Sequence, residues 1–154
     1  MPSHYNGTDD EIRALNTYIK LMRATNTIQT RLERRLAISN LTENQFGTLE
    51  MIYHLGAVHQ HVLSQKLFTS KGNVTVLVDR LEKRGLVRRE RSTDDHRLVS
   101  VHLTDAGRNL VETILPEHVT AIVELISVLK PKEQENLATL CKKLGVSALR
   151  MQTR

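Results

Sequence analysis

Asp95 and Arg97 stand two residues apart in a stretch rich in cations, with Arg88, Arg89 and Arg91 just before them. Arginine carries a planar, permanently charged fork of donors that fits carboxylates and phosphates in bidentate fashion. A row of arginines is therefore suited to phosphate, and a carboxylate among them is out of place unless it has a second use. That use is to pair with Arg97 and fix its direction. Earlier in the chain Gly72, Thr75, Val76, Asp79, Arg80 and Lys83 are spaced to share one helix face. A hydroxyl, a valine's methyls, an acid and cations can meet base edges and phosphates in a major groove. An ordinary solvated helix face has the same composition, so this helix taken alone leaves both readings open.

The neighbouring elements must position these groups. Val74, Leu77, Val78 and Leu81 recur at i, i+3, i+4 and i+7, which predicts a helix that buries the opposite face. Gly85 follows Lys83 and Arg84, a helix stop with cations at the negative end of the dipole. A hairpin comes next. Its basic first strand leads to a polar tip, Ser92 to Arg97. Its return strand alternates, with Val99, Val101 and Leu103 on one side and Ser100 and His102 on the other. Upstream, Thr42 is placed to cap a helix, with Gln45 reaching back and Leu41 stapling to Phe46. Phe46, Leu49, Ile52 and Tyr53 form its buried face up to Gly56. A short helix from about Gln60 to Phe68 turns Leu63 and Leu67 inward, and the turn Thr69 to Gly72 leads into the groove-facing helix. Two short helices before a groove reader, followed by a basic hairpin, make a winged helix-turn-helix.

Asp95-His96-Arg97, then five residues, then Leu103-Thr104, resembles the D-x-R-x5-L-T wing signature of the MarR family of bacterial transcription regulators. The stretch VTVLVDRLEKRGLVRRERSTDDHR is also similar to that family's recognition helix and wing. The similarity extends over nearly the whole chain, because the outer helices fall where the family has them. The resemblance and the helix geometry together place Ser70, Lys71, Gly72, Asn73, Thr75, Val76 and Arg80 at or near double-stranded DNA, with Arg88 among the cations of the wing. Arg97 is the residue for minor-groove insertion, Asp95 orients it, and His96 is either nearby or simply solvated. Many members carry a polar or charged residue at the Val76 position. Valine there packs on a thymine methyl or reads nothing. The resemblance further implies a two-fold dimer that places two recognition helices in successive major grooves. It also implies a small effector, phenolic or otherwise amphipathic, between the DNA-binding core and the dimer helices. Met22, Tyr53 and His54 are the residues assigned to that pocket, although core packing also explains the first two.

Composition narrows the classes. The chain has 154 residues, 40% of them hydrophobic, and a formal net charge of +5, which favours an anionic partner. Aromatics are 3%, too few for the stacking platforms of single-strand binders. Cys141, the one cysteine, excludes an internal disulfide framework. The N-terminus lacks a signal-peptide pattern and no apolar run reaches spanning length, so the expectation is a cytoplasmic protein without membrane contact. No P-loop, dinucleotide fingerprint, G-x-S-x-G or H-E-x-x-H occurs, and no enzyme or cofactor is expected. His54, His59, His61 and His118 lack partners at metal-ligand spacing, and no metal is expected.

The outer helices complete the expected architecture. Thr8 or Asp9 caps a long helix to about Ile38, with Ile12, Leu15, Ile19, Met22, Leu32 and Leu36 in a partial stripe and a polar middle, Arg23 to Arg31. Thr104 caps another from Asp105 to about Leu129, with Pro116 kinking it near Thr113. Its second half is apolar on more than one face. Pro131 restarts the chain, with Glu133 and Glu135 in the first turn; Leu137, Leu140 and Leu144 face inward, and Gly145 ends the helix. Cys141 is expected buried and inert, or bridged to its copy if the last helices of two subunits meet. The resulting fold is mainly α with a small β-hairpin wing: a winged helix-turn-helix core over 40–104, flanked by dimerisation helices over 9–38 and 105–149, in a single chain of 1–154. The function expected is a ligand-responsive homodimeric repressor on a pseudo-palindromic operator. The alternative is a winged-helix module for protein contact or non-specific nucleic-acid binding.

Overall fold

Thr8 opens the first helix with a reciprocal cap. Its hydroxyl accepts from the Glu11 backbone N–H at 3.3 Å, and the Glu11 carboxylate accepts from the Thr8 N–H at 2.8 Å. Helix α1 then runs over Asp9–Leu36 in the computed structural model, which describes residues 4–67 and 70–151. Asp9, Asp10 and Glu11 sit at its positive end and Arg34 and Arg35 at its negative end, each sign where the helix dipole favours it. Leu32 and Leu36 are buried; Ile12, Leu15 and Ile19 are half-buried and Met22 is exposed. A 3-10 turn, Ala37–Ser39, ends the run, with Asn40 in the left-handed region at φ 52°. The chain divides into two compact units, one ending at Glu43 and the other beginning at Asn44.

The second unit holds the winged helix. Helix α2, Glu43–Leu55, buries Phe46, Leu49 and Ile52 and half-buries Tyr53, as their spacing predicts. It stops at Gly56, whose φ of +79° suits glycine and whose N–H bonds the Ile52 carbonyl. Strand β1 is only Val58–His59, followed by α3, Gln60–Lys66. The expected end of that helix at Phe68, and the turn residue Thr69, lie outside the described residues. Ser70 is the N-cap of α4, Lys71–Lys83, so Lys71 and Gly72 belong to its first turn rather than to a preceding turn. The reason is local: the Ser70 hydroxyl accepts from the Asn73 N–H at 3.2 Å and starts the helix there. Gly85, at φ +68°, turns the chain into β2, Val87–Arg91, which pairs antiparallel with β3, Val99–Leu103.

The wing is a three-stranded sheet in the order β1-β3-β2, not a two-stranded hairpin, because Val58 and His59 pair with Val101 and Ser100. Val74, Val78 and Leu81 from α4 join Phe46, Leu49, Leu63, Val87, Val101 and Val111 in a core whose members are at most 2% exposed. Leu77 is only half-buried. Thr104 links the sheet to α5, Asp105–Ile126. Its hydroxyl accepts from the Gly107 N–H at 3.1 Å and donates to the Gly85 carbonyl at 2.6 Å. Helix α5 runs unbroken through Pro116 and stops three residues before the expected Leu129. His118, on α5, is buried with its ring edge-on to Phe46 at 4.7 Å.

The last helix departs from expectation. Helix α6, Pro131–Met151, begins at the proline as predicted but continues past Gly145. A mid-helix glycine costs about 1 kcal/mol, and the helix-favouring Ala148, Leu149 and Arg150 beyond it carry the helix on. Among the described residues no α6 side chain is buried, and Leu137, Leu140 and Leu144 are exposed rather than inward. Cys141 is likewise exposed, not buried. The leucine spacing marks an apolar face, which is exposed among the described residues. Val119, Ile122 and Val123 of α5 are exposed as well. No described helix is long and apolar enough to cross a membrane.

Candidate nucleic-acid interface

Helix α4 is held by its buried valines and Leu81, which leaves Lys71, Gly72, Asn73, Thr75, Val76 and Arg80 on the exposed side. Val76 is half exposed, an apolar group presented to solvent in the middle of a polar face. Ser70, Lys71 and Asn73 surround the helix N-terminus, where free N–H groups and the dipole favour anions.

Arg89 ties the wing to this helix. Its guanidinium lies 2.7 Å from Asp79 and 2.8 Å from Glu82, two acids one turn apart on α4. It also donates to the Gln60 side-chain carbonyl at 3.1 Å and to the Thr75 backbone carbonyl at 3.2 Å. The Arg89 backbone N–H adds a bond to Glu82 at 2.9 Å. Asp79 is exposed with Thr75 and Arg80, as expected, and is also engaged by Arg89, because β2 passes alongside that edge of the helix. Gln60, at the start of α3, donates from its amide to the Thr75 hydroxyl at 2.9 Å. Sequence reasoning missed Gln60. The acids at i and i+3 on α4 were a signal for a cation on β2, but nothing local singles out a glutamine on α3.

The wing tip carries the pair anticipated from spacing. Arg97 Nε lies 3.2 Å from Asp95 Oδ1 and Nη2 is 3.5 Å from Oδ2, while the Arg97 backbone N–H also donates to Oδ1 at 3.0 Å. The Ser92 hydroxyl accepts from the N–H groups of Asp94 and Asp95, which shapes the turn. The Arg97 side chain is 90% exposed, so the pair orients a cation that remains free to meet a ligand. His96 is exposed. Lys71, Thr75 and Arg97 come together, with Gln60, His61 and Val99, around an open groove of about 320 Å³.

Arg88 lies on the sheet instead. It donates to Glu90 at 2.9 Å, opposite His102, whose Nε2 is 3.4 Å from Glu90 and 2.9 Å from the Ser100 hydroxyl. The Arg88 hydrogen bond, then the charges of His102 and Arg88, hold the Glu90 carboxyl below the usual carboxylate range.

The residues assigned to an effector sit as follows. Met22 is on α1 in the first unit. Tyr53 and His54 are neighbours on α2, their rings edge-on at 5.2 Å. Tyr53 donates to Glu112 at 3.2 Å and has the Arg108 guanidinium 5.3 Å from its ring centroid. His59 and His61 stack at 5.7 Å, and among the described residues no group of three or more ligating side chains could hold a metal ion.

A short helix bracing a capped recognition helix, followed by a three-stranded sheet with an arginine at its tip, defines a winged helix-turn-helix protein. A family model described as the MarR family matches residues 41–99. The HTH-type transcriptional regulator MhqR of Bacillus subtilis is 31% identical over 136 residues, covering 88% of this chain and 94% of that protein. The crystal structure of a mutant MarR from E. coli complexed with operator DNA superposes with a TM-score of 0.75 at 26% identity, covering 90% of this chain and 99% of that one. A structure on the regulation of DNA binding of Bordetella bronchiseptica BpsR by 6-hydroxynicotinic acid gives 0.74 at 26% identity, covering 83% and 97%. This chain belongs to the MarR family, and it is a transcriptional regulator with a winged helix-turn-helix fold.

Proposed function

We propose that the chain is a sequence-specific, homodimeric repressor that binds a pseudo-palindromic site in double-stranded DNA and answers to a small ligand in the cytoplasm. One observation carries the reading: Lys71 and Thr75 of α4 and Arg97 of the wing line the same open groove, so one ligand meets helix and wing together. In this reading α4 lies in the major groove. Ser70, Lys71, Gly72 and Asn73 take phosphate at its N-terminus, and Thr75, Val76 and Arg80 face base edges or backbone. Arg97, steered by Asp95 with His96 beside it, enters the adjacent minor groove, and Arg88 adds positive potential along the sheet. The operator complex of the E. coli relative supports the partner.

The core over 40–104 is the reader, and the helices over 9–38 and 105–149 join two copies. The exposed leucines of α6 and valines of α5 support that role, because a face of that kind needs a cover. The response to 6-hydroxynicotinic acid named for BpsR supports a small effector. We assign Tyr53 and His54 to its contact, an aromatic and an imidazole suited to a phenolic or otherwise amphipathic molecule. Such a ligand acts by binding one spacing of the two recognition helices better than another, with a coupling of about 1–3 kcal/mol. The chemistry is recognition, not turnover.

The test is selection of bound duplexes from a random pool at near-physiological salt, followed by titration of the recovered motif. A pseudo-palindrome with half-sites about one helical turn apart is expected. Recovery of no motif, with binding that collapses in salt, would replace this reading with a non-specific basic surface or a protein-contact module.

A further inference from the structure

Thr75 has a hydroxyl with one proton and two lone pairs, and which of them faces a ligand decides what it can read. Three hydrogen bonds settle the matter from the wing inward. Arg89 can only donate, and its Nε points at one end of the Gln60 amide at 3.1 Å. That end must be the carbonyl oxygen, so the NH2 end is turned to Thr75, where it donates to Oγ1 at 2.9 Å. One lone pair of Thr75 is thereby used. The hydroxyl proton goes to the Lys71 carbonyl one turn back, at 3.0 Å. The second lone pair is what remains for the groove shared with Lys71 and Arg97. Turning the proton outward would aim a lone pair at the Lys71 carbonyl oxygen, which is repulsive.

We propose that the Lys71 carbonyl, which takes the Thr75 proton, and Gln60, which is oriented by Arg89 and occupies one lone pair, leave Thr75 a hydrogen-bond acceptor toward the groove, so that Thr75 selects an exocyclic amino group in the major groove. The group is the N6 amine of adenine or the N4 amine of cytosine, the only donors on the major-groove edges of the bases. N7 of a purine, O6 of guanine and O4 of thymine are acceptors and are disfavoured at this contact. The inference rests on the DNA-reading role proposed above and adds the chemical class that Thr75 reads.

The experiment uses the full-length chain and the motif recovered from the random pool. Comparing wild type with Thr75→Val, which keeps shape and removes the hydroxyl, identifies the base pair that Thr75 meets. At that pair, duplexes are made with the amino group removed (purine for adenine, 2-pyrimidinone for cytosine) or with N7 removed (7-deazapurine). Loss of one neutral hydrogen bond predicts that amino removal weakens wild-type binding roughly fivefold, and that N7 removal does not. Thr75→Val should show no sensitivity to amino removal, and Thr75→Ser should retain it. Gln60→Leu should retain the sensitivity, because the Lys71 carbonyl still takes the hydroxyl proton. A wild-type protein that responds to N7 removal and not to amino removal overturns the proposal, as does a Thr75→Val protein with full amino-group dependence. The analogue comparison on wild type stands even if Gln60→Leu fails to fold. A pool that returns no motif for wild type overturns the DNA-reading role itself, an outcome separate from a motif indifferent to the analogues.

Discussion

Arg89 of the wing reaches Asp79 of the recognition helix at 2.7 Å, and with only 22% of its side chain exposed it is the least solvated cation in the charge pairs of this interface. The same guanidinium holds Glu82, Gln60 and the Thr75 carbonyl, so one strand residue sets the pose of helix α4 against both α3 and the sheet.

Replacing that guanidinium by a side chain of similar length should be felt in stability. Arg89→Met leaves Asp79 and Glu82 partly solvated, which limits the loss to about 1–2 kcal/mol. Urea unfolding followed by circular dichroism should show a lower midpoint with an unchanged slope. An unchanged midpoint would mean that the buried valines hold α4 without this clamp.

Arg97→Ala should leave the fold intact, since the side chain is 90% exposed. Affinity for all duplexes should fall, and the slope of log K against log salt should flatten by about one unit per subunit. Asp95→Ala frees the same arginine without removing its charge. It should weaken binding less and leave the salt slope alone. If both variants titrate like wild type across salt, the wing makes no contact with DNA.

A methyl group at Gly107 would collide with the Leu86 carbonyl oxygen, which already accepts from the Thr104 N–H at 3.1 Å. The obstacle is backbone and cannot swing away. Gly107→Ala should therefore cost about 1–3 kcal/mol, seen as a lower melting temperature. A melting temperature equal to that of wild type would show that the Leu86 backbone, at the entry to β2, and helix α5 are not packed this closely.

The Glu90 carboxyl titrates below its ordinary range because Arg88 bonds it and His102 stands near. The sign follows from linkage: a group whose pKa is depressed by folding contributes stability above its unfolded pKa and loses it as pH falls through the folded value. The Arg88–Glu90 link should thus hold at neutral pH and open only below the usual carboxylate range. Carboxyl carbon shifts in NMR titrations should show Glu90 protonating at lower pH than an ordinary glutamate. Arg88→Ala should move that titration upward. No upward movement would exclude Arg88 as the cause.

Leu140 is exposed on α6 beside Leu137 and Leu144. If two copies cover this face, Leu140→Glu should bury an unpaired charge and shift sedimentation from dimer toward monomer. The same change on a solvent face would leave the sedimentation coefficient as it was. Cys141, next to Leu140, should then react faster with a maleimide in the Leu140→Glu protein than in wild type.

The parts of this molecule written into short stretches are readable without coordinates. The buried valines of α4 follow from spacing, the Thr104 cap from its place just before the helix, and the Asp95–Arg97 pair from a gap of two. In each case the interacting groups lie within one turn, so local geometry leaves few alternatives. Other features depend on segments that meet only after the chain has folded. Strand β1 has two residues, too few to show a period, and exists because Val101 and Ser100 are there to pair with it. Gln60 matters because β2 brings Arg89 to one end of its amide and α4 brings Thr75 to the other. The α6 leucines carry a legible stripe, yet whether a stripe is buried depends on what lies over it, and these leucines are exposed. Periodicity tells which side of a helix is apolar; packing decides what, if anything, that side touches.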